Sequence, residues 1–169
     1  GFLLMGALVA SYNYVTYHLL DAPYALSQSG AGSIFVVYLS GIFASAWIGS
    51  MADRRGRGRM LVLMSSLVFV GIVLSLARSL VFVVAGIVAV TFGFFGGHSV
   101  ASSWVGLRAK HAKAQASALY LFFYYIGASV AGTVGGVVWD AAHWSGVVLL
   151  VGAMALAAVG IALFNTRWA

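Results

Sequence analysis

Apolar runs of about 20 residues, separated by short charged or Gly/Ser-rich breaks, fill nearly all of this sequence. A run of that length lets a helix cross a lipid bilayer. Hydrophobic residues make up 63% of the chain and charged residues only 7%. A soluble domain of 169 residues cannot bury so much apolar side chain, because its surface needs polar groups. The sequence therefore predicts an all-α integral membrane protein.

Cutting the sequence at its charged and Pro/Gly/Ser-rich breaks predicts six transmembrane helices. The apolar runs are continuous and do not alternate with polar residues, which argues against the strands of an outer-membrane barrel. The short connections predict that neighbouring helices are antiparallel. The predicted spans are roughly 2–20, 32–51, 60–76, 80–105, 116–139 and 146–164.

Basic residues fall on one side of this predicted bundle. If six helices alternate in direction, Arg78 alone lies on the opposite face. Lys and Arg accumulate in cytoplasmic loops, so both ends of the chain are predicted to be cytoplasmic. The net charge of +6 then reflects the orientation of the chain in the membrane. Because the position of the basic residues between spans explains them, we expect no nucleic acid partner. The basic residues on the shared face are Arg54, Arg55, Arg57, Arg59, Arg108, Lys110, Lys113 and Arg167.

Two absences narrow the remaining possibilities. The chain has no cysteine, which excludes disulfides and thiolate metal sites, and we expect neither a metal nor a cofactor. The chain has no initiator Met and begins inside an apolar run, so we expect a fragment of a longer protein.

Hydrogen-bonding side chains concentrate in the first predicted span, between Ser11 and His18. Polar groups in hydrocarbon are costly unless they meet a partner or water. Asn13, Tyr14 and Tyr17 are therefore candidates for a solute pathway with aromatic walls. The alternative is interhelical hydrogen bonding together with an aromatic belt at the membrane interface.

Further pathway candidates lie in the fourth and fifth spans. His98 stands beside glycines and could relay protons, because imidazole titrates near neutral pH. Its alternative role is a hydrogen bond to a neighbouring helix. Tyr120 and Tyr124 could reach a central cavity. No carboxylate lies within a predicted span, so an acid used for proton coupling is expected outside this chain.

Small residues recur at four-residue spacing in two of the spans. Such rows let helix backbones pack closely. The alternative is that they let neighbouring helices slide past each other during a transport cycle. The rows are Gly41, Ser45 and Gly49 in the second span, and Gly127, Ala131 and Gly135 beside Ala128, Gly132 and Gly136 in the fifth.

The charged stretch between the second and third spans has an internal spacing. Gly49, Asp53, Arg54, Gly56 and Arg57 form the pattern G-x-x-x-D-R-x-G-R. This pattern resembles the loop signature of the major facilitator superfamily (MFS). The next family position is usually basic, whereas this chain has a glycine there and the base one residue later.

A second stretch supports the same resemblance. Residues 115–129, followed by a Gly-Gly pair and Trp139, resemble the eleventh helix of bacterial efflux permeases of the arabinose-efflux-like subgroup. The resemblance implies that the chain is the C-terminal six-helix half of an MFS fold, made of two inverted three-helix repeats. It also implies a bacterial inner-membrane transporter, whose partners are the lipid bilayer, the missing N-terminal six-helix half and a small-molecule substrate, with H⁺ as a further candidate.

The resemblance assigns Asp53 to a charge-and-dipole latch that holds one conformation of the transporter. Arg54 and Arg57 would supply cations, and the partner helix would belong to the missing half. A carboxylate at a helix N-terminus is stabilised by about 0.3–1 kcal/mol. The alternative reading of the loop is a positive-inside anchor only.

Two other classes of protein also fit six spans. A rhomboid-like intramembrane serine protease would use Ser129 and His143, but these residues are about 20 Å apart along a helix. A self-contained oligomeric membrane protein is the other alternative. We expect a transporter and not an enzyme.

Overall fold

The protein, described by a computed structural model over residues 1–166, is a bundle of helices. All regular secondary structure in that range is helical, which confirms the predicted all-α class. The predicted cytoplasmic Arg167 lies outside the described residues. The elements are α1 Phe2–Leu20, α2 Gln28–Gly32, a 3₁₀ helix Ser33–Val37, α3 Tyr38–Arg55, α4 Arg57–Leu74, α5 Leu80–Arg108 and α6 Lys113–Thr166.

Within residues 1–166, four helical segments are long and apolar enough to cross a membrane. They are the continuous unit of α2, the 3₁₀ helix and α3, followed by α4, α5 and α6. Helix α1 has 19 residues but carries Asn13, His18 and several tyrosines, which lower its apolarity. The structure therefore describes a multi-helix membrane protein, and the count of six spans stays a prediction.

Helix α6 consists of two arms that fold back on each other. Ala142 (φ −148°, ψ 20°) and His143 (φ 47°, ψ −137°) have non-helical backbone angles. A Cβ added at Gly6 of α1 would meet both Gly127 and Met154. In one straight helix these two residues would be about 40 Å apart. The chain therefore reverses direction at Ala142–His143, between a first arm over 113–141 and a second arm over 144–166.

This reversal is tighter than the sequence suggested. The predicted loop over 140–145 is replaced by a two-residue break, because Trp144 is buried directly after it. The Trp144 indole Nε1 donates hydrogen bonds to Ser75 O (3.1 Å) and Ser75 Oγ (3.2 Å). The anchored indole fixes the start of the second arm at Trp144.

Glycines set the spacing between α4 and α5. A Cβ on Gly93 would lie 2.7 Å from Met64 O and 2.9 Å from Val68 Cγ2. A Cβ on Gly71 would lie 2.6 Å from Gly86 O. Since real Cβ atoms need more room, these helices touch through their backbones. The core beside this contact is apolar and includes Val15, Leu19, Ile72, Ile87, Val90 and Val151.

Candidate solute pathway and loop latch

The first-span candidates lie where α1 meets the first arm of α6. Tyr14 Oη donates a hydrogen bond to Gly132 O (2.9 Å), and its ring stacks on Trp139 with 5.8 Å between centroids. Tyr17 is 57% exposed and lies 5.9 Å from the same indole. Asn13 is exposed beside Gly132. The structure thus brings Asn13, Tyr14 and Tyr17 onto one polar edge of the bundle.

The second set of candidates forms a separate aromatic cluster between α5 and α6. His98 Nδ1 and Tyr120 Oη share a hydrogen bond of 2.9 Å. Tyr124 packs 4.9 Å from the imidazole, and Phe94 stacks on it at 5.8 Å. The alternative role predicted for His98 is a hydrogen bond to a neighbouring helix, and its bond to Tyr120 of α6 is such a bond.

This cluster extends through rings that sequence reasoning missed. Phe94 meets Phe95, Phe95 meets Tyr38, and Tyr38 lies 4.5 Å from Tyr12, centroid to centroid. Tyr12 is buried and its hydroxyl shares a 2.6 Å hydrogen bond with Thr91. Tyr12 belongs to the polar run of the first span, but its neighbours Phe35, Tyr38 and Thr91 come from three other elements. No spacing within one span signals such a cluster.

The two small-residue rows of the fifth span both face α1. Gly127 and Gly135 of the first row contact Phe2 and Tyr14 so closely that a Cβ at either position would clash. Ala131, between them, is buried against Gly6.

The neighbouring row touches α1 less tightly. A Cβ on Gly132 would lie 3.4 Å from Asn13 Nδ2, and one on Gly136 would lie 3.1 Å from Tyr14 Oη. These distances leave room for adjustment by flexible side chains.

The row in the second span faces α5. A Cβ on Gly41 would clash with the Phe95 ring, and one on Gly49 would lie 3.3 Å from Ser99 Oγ. Ser99 Oγ donates a hydrogen bond to Ser45 O (3.2 Å).

The charged loop connects three helices at one end of the bundle. Arg57 opens α4 and forms an ion pair with Asp53 in the last turn of α3. Arg57 Nη1 also donates a hydrogen bond of 2.9 Å to Ser103 Oγ on α5. A carboxylate at a helix C-terminus is disfavoured by the helix dipole. Within the described chain, Asp53 is therefore stabilised by Arg57, and Arg54 stays exposed.

Two glycines of this loop lie in different environments. Gly56 joins α3 to α4 with φ at 91°, in the region that favours glycine. Gly58 is buried, and a Cβ there would clash with Thr166 at the end of α6. A side chain at position 58 would have to displace Thr166, whereas the basic residue that follows, Arg59, is exposed.

The residues of the protease alternative are not brought together. Ser129 is exposed on the first arm of α6, and its carbonyl accepts a hydrogen bond from Thr133 Oγ1 (3.0 Å). His143 packs edge-on against Trp139 at the break. Nor do residues 1–166 contain a group of three His, Cys, Asp or Glu side chains that could hold a metal ion.

Apolar membrane-length helices, an exposed polar edge and a charged loop are together typical of a multi-pass transport protein. The chain is 50% identical over 167 residues to the uncharacterized MFS-type transporter YybF of Bacillus subtilis (strain 168), across 99% of this chain and 41% of that protein. It is 44% identical over 167 residues to the inner membrane transport protein YnfM of Escherichia coli (strain K12), across 99% of this chain and 39% of that protein.

A third relative extends the comparison. An uncharacterized transporter of Buchnera aphidicola subsp. Schizaphis graminum (strain Sg) is 39% identical over 147 residues, across 87% of this chain and 36% of that protein. The chain therefore spans about two fifths of the length of these relatives. No family model and no solved structure matches the chain. The predicted resemblance to MFS transporters is confirmed, and the relatives' names support neither a protease nor a self-contained six-span protein.

Proposed function

We propose that this chain is the C-terminal half of a secondary transporter that moves a small solute out of a bacterial cell in exchange for H⁺. Its six spans would be α1, the unit over 28–55, α4, α5 and the two arms of α6. Each set of three would form one inverted repeat, and this half would rock against an N-terminal half around a central site. The relatives, all named transporters, support this class of protein.

The charges support one orientation of this half in the inner membrane. With six alternating spans, the ends joined by the Asp53 loop and by residues 109–112 lie on the same face. That face carries nearly all of the basic side chains, and the opposite face carries Arg78 with Asp21 and Asp140. We therefore place the basic face and both ends of the chain in the cytoplasm.

The observation that carries the transport proposal is the exposed polar edge on α1. Asn13 presents an exposed amide on this helix, and Tyr17 lies one turn further along. An amide facing hydrocarbon is costly, and the cost disappears where the surface faces water or a polar solute. We therefore assign Asn13, Tyr14 and Tyr17 to the wall of the solute pathway.

The aromatic cluster would supply the pathway's cytoplasmic part. His98 is the imidazole in this cluster to which we assign proton exchange. Its hydrogen bond to Tyr120 connects α5 to the first arm of α6, and Tyr124 packs on the imidazole. A change in the protonation of His98 would alter that bond, which is how we propose that proton uptake affects the packing of these helices.

The test measures flux through the full-length protein in everted membrane vesicles. We expect a pH gradient to drive uptake of at least one member of a mixed solute panel, and Asn13→Leu to reduce it severalfold by removing the amide from the pathway. Asn13→Gln, which keeps an amide, is the matched control and should retain most of the flux. Gradient-independent flux, or full flux in Asn13→Leu, would contradict the proposed pathway.

A further inference from the structure

A cavity of about 350 Å³ opens at the end of the bundle opposite the charged loop. It lies between the C-terminal end of α1 and the break in α6. We call it the Trp139–Trp144 cavity, after the two indoles that stand on either side of the break. Its walls also include His18, Asp21, Leu76 and His143.

The aromatic walls of this cavity are held in place by their own contacts. The His18 imidazole stacks on the Trp144 indole, with 4.9 Å between centroids and 7° between planes. Trp144 is in turn anchored to Ser75 through its indole nitrogen. Trp139 is fixed on the other side by Tyr14 and Tyr17. Because Trp144 is buried beneath His18, a ligand would meet chiefly the half-buried Trp139 indole, which needs little ordering on binding.

The charge inside the cavity is negative. Asp21 follows the last residue of α1, at the end of the helix that carries the negative pole of its dipole. Among residues 1–166, the ion pair Asp53–Arg57 is the only one, so Asp21 has no basic partner within 4 Å. An anion would be repelled here, whereas a cation would meet both a carboxylate and the helix dipole.

We propose that the Trp139–Trp144 cavity binds an organic ammonium ion. Electron-rich ring faces attract such a cation, and a nearby carboxylate adds a charge of the opposite sign. A neutral aromatic solute would gain nothing from Asp21. Metal ions are disfavoured, because residues 1–166 hold no suitable group of three ligands.

The position of this cavity connects it to the proposed pathway. Trp139 lines the cavity, and its indole packs against Tyr14 and Tyr17 of the exposed polar edge. An ammonium ion bound here would stand at the end of the polar edge that we place outside the cytoplasm. This link rests on the proposed function, whereas the binding of the cation does not.

The closing experiment measures binding directly, so its outcome is independent of transport. The probes are choline and its uncharged carbon isostere, 3,3-dimethylbutan-1-ol, titrated into the full-length protein in nanodiscs. We expect saturable binding of choline and at least fivefold weaker binding of the isostere, as a desolvated cation–aromatic contact with an added carboxylate implies. Equal affinity for both probes, or no saturable binding of choline, would overturn the proposal.

Variants locate the bound cation. Asp21→Asn and Trp139→Leu should each weaken choline binding by about five- to thirtyfold, while Trp139→Phe keeps an aromatic face and should retain more of it. Asp140→Asn is the matched control, because Asp140 lies at the same end of the bundle but does not line the cavity. An equal loss in Asp140→Asn would overturn the site, since general surface charge would then explain the binding. The thermal unfolding midpoint of each variant shows whether it has kept its fold.

Discussion

At the residue scale, the Asp53–Arg57 ion pair is the contact that could hold one conformation of the transporter. The two side chains are 63% and 22% exposed. An ion pair this exposed contributes about 0.2–1 kcal/mol, which changes an equilibrium by about fivefold at most. The hydrogen bond from Arg57 to Ser103 adds a third helix to the same contact.

Asp53→Asn should therefore reduce flux by about two- to fivefold and not abolish it. The measurement compares initial rates in everted vesicles at equal expression of the full-length protein. Arg59→Gln removes a charge from the same loop at a position outside the contact between Asp53, Arg57 and Ser103, and its rate should equal that of wild type. Unchanged flux in Asp53→Asn would leave the loop as a topological anchor only.

Gly58 shows what the sequence can and cannot reveal about a single residue. The sequence identifies it as a departure from the family pattern, at the position where a base is usual. In the structure Gly58 packs against Thr166, which lies 108 positions further along the chain. Distances between residues this far apart in sequence depend on helix packing, which no local pattern specifies. Asp53 and Arg57 are only four residues apart, but Gly56 separates their helices, so their ion pair depends on the turn between α3 and α4 and not on spacing within one helix.

At the level of helices, the backbone contact between α4 and α5 is sensitive to added volume. Gly93→Ala places a methyl group against Met64 and Val68, and overpacking of this kind costs about 1–3 kcal/mol. We expect a lower thermal unfolding midpoint for this variant of the full-length protein.

Gly160→Ala is the matched control for that substitution. Gly160 lies in the second arm of α6, and an added Cβ there meets nothing within 4 Å. Alanine at an open helical position stabilises by about 0.5–1 kcal/mol relative to glycine. Shifts of the same sign in both variants would show that helix propensity, and not the α4–α5 contact, governs the effect.

The helices were predictable to different degrees, for physical reasons. Long apolar runs such as the one in α5 exclude every structure but a helix in a membrane setting, so the helical class follows from composition. The short helix before α3 does not follow, because it depends on a cap in which Ser27 Oγ accepts a hydrogen bond from Gly30 N (3.1 Å). The exact place of the break at Ala142–His143 does not follow from the sequence, since the anchoring of Trp144 on Ser75 joins residues 69 positions apart.

At the scale of the whole molecule, much of the apolar surface lacks a partner. Exposed apolar side chains cover α3 and the first arm of α6, among them Phe43, Trp47, Phe122 and Tyr125. Lipid can cover such surfaces, but it cannot satisfy the polar edge around Asn13. We therefore predict that this chain inserts into a membrane alone and does not transport.

Proteoliposomes containing this chain alone should show no gradient-driven flux of any solute that the full-length protein moves. Joint expression of the remaining part of the protein as a separate chain should restore flux, because both halves are needed to enclose a site. Flux from the chain alone would contradict the proposal that it is one half of the transporter.

The hairpin in α6 also couples the width of the Trp139–Trp144 cavity to the angle between its two arms. Trp139 lies near the end of the first arm and Trp144 at the start of the second, so the separation of the two indoles depends on the angle between the arms. Any tilt of one arm against the other must widen or narrow the space between them. The affinity for a bound cation would therefore differ between one inter-arm angle and another. The occupancy of the cavity would then depend on the conformation of the hairpin.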